Sequence, residues 1–192
     1  MAKGLKKVSA KRSKKRPKKR LKKVAKNGSK NGAFLVVVNA KGELLLVKRK
    51  KNGLWELPGG TIERGELPAH AAQEETEEES GVLTDAVTFT FVAQFTQRPY
   101  GIVNLYETRK SSGRIDVPED SDEVLAARWM SFEQIIKQPK KMGTGALRMI
   151  LRWRRCSLKI DKMPYEGHLS ASVEFLKNLK KGQKYSDFVL TV

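Results

Sequence analysis

At 192 residues the chain has room for one domain with a real core plus extensions, and too little for two comfortable domains. Its formal charge of +18 is very uneven: residues 1–30 hold 15 Lys or Arg and no acid, leaving 24 basic and 21 acidic residues for the rest. A lone Cys156 excludes an internal disulfide or a cysteine-built metal site and fits a reducing compartment. With no apolar run near ~20 residues and no apolar stretch behind the charged N-terminus, a soluble, cytoplasmic protein without membrane partners is expected.

In chain order, residues 1–30 are expected to be a disordered tail, because so polar a stretch buries too little surface to offset its ordering entropy. Lys11, Arg12, Lys14, Lys15, Arg16, Lys18, Lys19 and Arg20 form its densest charge. That is the composition of an arm for RNA or another polyanion, or of a nuclear-import signal or a solvating tail. With no aromatic to stack bases, such an arm would lack sequence preference.

The folded domain is expected over residues 31–155. The apolar runs Phe34–Val38 and Leu44–Val47 read as a hairpin around the turn Asn39–Gly42, and Leu54–Leu57 reads as a strand that Pro58-Gly59-Gly60 ends in an irregular loop. Leu67–Ser80 predicts a helix, with Pro68 in its first turn and Gly81 as its C-terminal cap. Beyond it, Val87–Phe95 and Ile102–Thr108 are β-rich around Pro99-Tyr100-Gly101, and Arg128–Met130 is a short strand. Ser131 with Gln134 forms a capping box for a helix over Phe132–Lys137, and another helix is expected over Thr144–Arg152. Residues 156–192 read as a C-terminal extension, with Leu169, Val173, Leu176 and Leu179 at the spacing of one short helix.

On the helix over 67–80, Glu75, Glu78 and Glu79 fall at i, i+3 and i+4, on one stripe. With Glu74 and Glu77, five of six consecutive residues are acidic, and each close pair repels by roughly 0.2–0.5 kcal/mol. A solvated acidic face is one reading of the cluster. The other is a ligand set for Mg²⁺ or Mn²⁺, hard ions that take carboxylates together with substrate phosphates.

The surroundings favour the second reading. From Gly60 the sequence runs five residues to Glu66, seven more to Glu74-Glu75, then on to Glu78-Glu79 and Gly81-Val82. This resembles the box of the Nudix superfamily, matching seven of its nine specified positions, with Glu74 in place of the usual arginine and Thr76 in place of an aliphatic residue. The segments Leu54–Gly60, Asp122-Glu123 and Arg128–Met130 extend the likeness over about residues 33–153.

The resemblance implies an α/β/α sandwich with a mixed sheet and a diphosphate hydrolase acting on nucleoside diphosphate derivatives with Mg²⁺ or Mn²⁺. It implies metal binding by Glu75, Glu78 and Glu79, support from Glu66, and Glu123 or Glu75 as the base. Gly59, beside the metal, and Gly60, beside phosphate, suit a backbone that must come close to either. Arg49, at a strand end, is a candidate phosphate contact, against the plainer reading of a solvated arginine. Phe95, Tyr100 and Tyr106 are either base-stacking or core aromatics. Two further functions remain open: an RNA 5′-end pyrophosphohydrolase or decapping-type enzyme whose tail holds RNA, and a non-catalytic scaffold, which Glu74 favours.

Overall fold

The computed structural model describes residues 30–157. In chain order they form β1 (Gly32–Val37), β2 (Leu44–Arg49), β3 (Trp55–Glu56), β4 (Gly59–Thr61), α1 (Pro68–Ser80), β5 (Leu83–Thr84), β6 (Thr90–Thr96), β7 (Ile102–Thr108), β8 (Ser111–Ser112), β9 (Val124–Met130), α2 (Phe132–Lys137) and α3 (Thr144–Ser157). The strands make a four-stranded sheet β4-β1-β7-β6, a three-stranded sheet β3-β2-β9 and the small pair β5-β8. The first is mixed, since β1 runs parallel to β7 and antiparallel to β4. The expected tail, apart from Lys30, and the helix expected around Leu169–Leu179 lie outside the described residues.

The side chains of β1 alternate between two cores. Ala33, Leu35 and Val37 pack with Leu45, Ala71, Ala72 and Val82 beneath α1. Phe34 and Val36 join Leu44, Leu46, Ile135, Leu147, Ile150 and Trp153 beneath α2 and α3. Helices therefore cover both faces of the strands, which is the α/β/α arrangement expected.

Two expectations need correction. The runs expected as a hairpin are joined only by one bridge, Val38–Leu44, and belong to different sheets. Every residue of β1, and Leu44 to Val47 of β2, is buried, so neither run has a face to give to water. β1 is one of the two inner strands of its sheet, and β2 is the middle strand of the other. Gly59-Gly60, expected in an irregular loop, instead forms β4 and pairs with Phe34 and Ala33. Gly59 has φ 138°, and a Cβ there would stand 2.4 Å from the Ala33 carbonyl oxygen, so the close approach of β1 itself demands glycine.

The helix ends follow their caps. Gly81 closes α1 at φ 72° with its N–H on the Glu77 carbonyl, and Ser131 with Gln134 forms the full capping box of α2. α3 runs five residues past its expected end, and β9 begins four residues before Arg128.

Candidate active site

Helix α1 meets the strands through small residues, Ala71, Ala72, Thr76 and Ser80, and this lets its glutamates come up against backbone. The hydroxyls of Thr76 and Ser80 donate to the carbonyls of Ala72 and Thr76, at 2.7 and 2.6 Å, so neither is buried without a partner. Thr76, where the Nudix pattern has an aliphatic residue, thus satisfies its polar atom within the helix.

Glu75, Glu78 and Glu79 are half-buried, exposed and buried, respectively. Glu75 lies against Gly60, where a Cβ would stand 2.8 Å from its Oε1. Glu79, 4% exposed, accepts the Gly59 N–H at 3.1 Å through Oε2. Its other oxygen takes a hydrogen bond from Nη1 of Arg49. Burial pushes the Glu79 carboxyl up to about 8, against the pull of Arg49 and with a further push from Glu75.

Arg49 is the centre of the arrangement. Its Nη2 donates to the Gly59 carbonyl at 3.0 Å and its Nε to Glu56 Oε2 at 3.2 Å. Its side chain is 14% exposed, which overturns the reading of a solvated strand-end arginine. Burial works against its charge, but Glu79 and Glu56 outweigh that and raise its pKa. β2, β4 and α1 are thereby closed into one ring of hydrogen bonds, Arg49 to Gly59 carbonyl, Gly59 N–H to Glu79, Glu79 to Arg49. Glu74, where the Nudix pattern has an arginine, is exposed.

The other expected residues divide. Glu123 stands at the outer edge of the ring, its Oε2 3.9 Å from Arg49 Nη1 and its side chain 63% exposed. Glu66 makes a local bond, accepting the N–H of Glu63 at 2.8 Å in the turn before α1. Tyr100 packs edge-on against Phe34, ring centroids 5.3 Å apart, and burial raises its pKa, with Arg49, Glu56, Glu79 and Glu75 all close enough to act on it. Phe95 lies beneath the Arg152 guanidinium, and Tyr106 packs with Phe89 and Phe91, away from these charges. The basic residues Lys11 to Arg20 lie outside the described residues.

Sequence reasoning missed Glu56 as a site residue. Its one signal was position: it alternates with Trp55 and Leu57 in the strand that enters the site, and so points away from both.

In donor chemistry, Glu75, Glu78, Glu79 and the Gly59 carbonyl fit a hard divalent ion: all are oxygens, and the cradle at Gly60 admits no side chain. Among the described residues, no three His, Cys, Asp or Glu side chains are gathered tightly enough to hold a metal ion.

The model of the NUDIX domain matches residues 28–153. A MutT-like protein of Streptomyces ambofaciens is 37% identical over 100 residues, 52% of this chain and 62% of that one. Nudix hydrolase 6 of Arabidopsis thaliana is 28% identical over 141 residues, 68% of this chain and 48% of that one. A putative 8-oxo-dGTP diphosphatase of Bacillus subtilis is 50% identical over 49 residues, 26% of this chain and 33% of that one. The chain thus spans less than two thirds of the length of these relatives. Among solved structures, a MutT NUDIX hydrolase of Burkholderia pseudomallei aligns at TM-score 0.56 and 23% identity, covering 66% of this chain and 98% of that one. The NUDIX domain of Shewanella oneidensis NrtR, complexed with ADP ribose, aligns at 0.57 and 17%, covering 67% and 88%. These two likenesses concern the fold. The box, the helix that carries it and the match across residues 28–153 make this chain a member of the Nudix superfamily.

Proposed function

We propose that the protein hydrolyses the diphosphate linkage of a nucleoside diphosphate derivative with the help of Mg²⁺ or Mn²⁺. The observation that carries this reading is the placement of Glu75 and Glu79 against the backbone of Gly60 and Gly59, with Glu78 on the same helix. Glu75, Glu78, Glu79 and the Gly59 carbonyl would hold the metal, which would neutralise phosphate oxygens and acidify a bound water. Glu75, with the exposed Glu123 as the alternative, takes the proton from the attacking water. Gly60 lets the Glu75 carboxylate come up against the backbone, and Glu66 supports the loop that leads into the helix. The products are a nucleoside phosphate and a second phosphate-bearing piece.

The test is a panel assayed with Mg²⁺ and with Mn²⁺: ADP-ribose, a dinucleoside polyphosphate, 8-oxo-dGTP and triphosphorylated RNA. The relatives motivate two of these, since one is named for 8-oxo-dGTP and one solved domain holds ADP ribose. Metal-dependent turnover of any member supports the reading. Nucleotide binding without turnover across the panel would instead support the scaffold role that Glu74 suggested.

A second reading, cleavage at an RNA 5′ end, is favoured by the 15 cations of residues 1–30. Six phosphate contacts to a single strand would give a slope of about −4 in log K against log salt. Deleting residues 1–30 should remove most of that slope and leave hydrolysis of small nucleotides intact. Unchanged RNA binding after the deletion would rule out the tail as the binding element.

A further inference from the structure

We propose that Arg49 is an exchangeable counter-ion: it competes with the divalent cation for the Gly59 carbonyl and Glu79, and once displaced it grips the substrate's phosphate. This rests on the reading above that Gly59 and Glu79 are metal ligands. Two of the oxygens assigned there to the metal are the ones the guanidinium holds, the Gly59 carbonyl at 3.0 Å and Glu79 Oε1. A divalent ion on the same oxygens would stand within a few ångströms of a fixed positive charge in a mostly buried site, where repulsion between like charges is strong. One of the two must yield.

The geometry also supplies a pivot. Arg49 Nε is held by Glu56 Oε2 at 3.2 Å, and that bond does not depend on Gly59 or Glu79. Glu56 itself lies against the Gly143 backbone, where a Cβ would stand 2.8 Å from its Oε1, with its side chain 28% exposed. Turning about this pivot frees both terminal nitrogens of the guanidinium. The exposed Glu123 lies 3.9 Å from Nη1, so the way out of the ring past it leads to the surface. A diphosphate arriving with the metal brings an anion whose paired oxygens suit the planar donor fork of arginine. Metal entry and phosphate grip thus become one event, with the guanidinium passing from the protein's oxygens to the substrate's.

The proposal predicts a sign that simple support of Glu79 does not. Mn²⁺ affinity is measured by electron paramagnetic resonance on the full chain, as wild type, Arg49→Gln and Arg49→Lys, at one common pH. Arg49→Gln should bind Mn²⁺ tighter by roughly fivefold or more, the lower end of coupling between linked sites. Arg49→Lys keeps the charge and should stay near wild type. For the best nucleotide of the panel, both variants should raise KM by about tenfold, through loss of the paired contacts, with a smaller change in kcat. Weaker or unchanged Mn²⁺ binding in Arg49→Gln overturns the exchange and leaves Arg49 a fixed support of Glu79. A wild-type protein that binds no Mn²⁺ overturns the ligand assignment beneath it, a separable failure. Should Arg49→Gln not fold, the exchange of the wild-type Arg49 Nη–H protons with solvent is followed by nuclear magnetic resonance on Mg²⁺ addition, because these are the protons held by Glu79 and Gly59. Faster exchange at saturation supports the displacement, and unchanged or slower exchange overturns it.

Discussion

Helices α1 and α3 cover opposite faces of the strands and are held there by different means. α3 buries Leu147, Met149, Ile150, Leu151 and Trp153, so apolar surface removed from water is what fixes it. α1 buries two alanines, a threonine, a serine and one glutamate. It gains little from apolar area and gains closeness instead, since small side chains bring its backbone, and with it the carboxylates, up to β1 and β4. One helix is built for stability and the other for a site, so damage to each should appear in a different measurement.

The largest expected effect breaks the comparison on the α3 side. Ile150 is fully buried, so Ile150→Ala should cost about 2–5 kcal/mol of folding stability, read by denaturant unfolding, while activity per folded molecule holds. A loss of activity without a loss of stability would mean that α3 belongs to the site. The next effect breaks it on the α1 side. Glu78→Gln should lower turnover by roughly 100-fold, equivalent to about 2.7 kcal/mol, while stability changes by no more than about 0.5 kcal/mol. Full activity in that variant would remove Glu78 from the ligand set.

The smallest effect sharpens the comparison within α1 itself. Glu74 is exposed and Arg49 already supplies the positive charge beside Glu79, so Glu74→Arg should leave stability within about 0.5 kcal/mol and activity within a few-fold. A collapse of activity with the fold intact would show that Glu74 acts in the site after all.

What was legible in the sequence follows from the range of the interactions. The ends of α1 and α2 were readable because Pro68, Gly81, Ser131 and Gln134 act within one turn of themselves. The glutamate stripe was readable because helical spacing is local as well. The assignment of β1 and β2 to separate sheets was not, because two apolar runs with a turn between them look alike whether they pair with each other or with distant strands. Arg49 misled for the same reason: its partner Glu79 is 30 residues away, and nothing near position 49 announces that the side chain turns inward. Glu56 was signalled only by its alternation with Trp55 and Leu57, which says which way the side chain points and not that Arg49 lies there.

The ring through Arg49, Gly59 and Glu79 joins the three-stranded sheet, the four-stranded sheet and α1 at one point. Any ligand that binds this point in the folded chain and not in the unfolded one is coupled to the whole sandwich by mass action. At a concentration 100 times its dissociation constant, it would add about 2.7 kcal/mol to folding stability. The melting temperature of the protein is therefore a gauge of what this point holds: the compound that raises it most in the presence of the metal is the one bound tightest, before any product is measured.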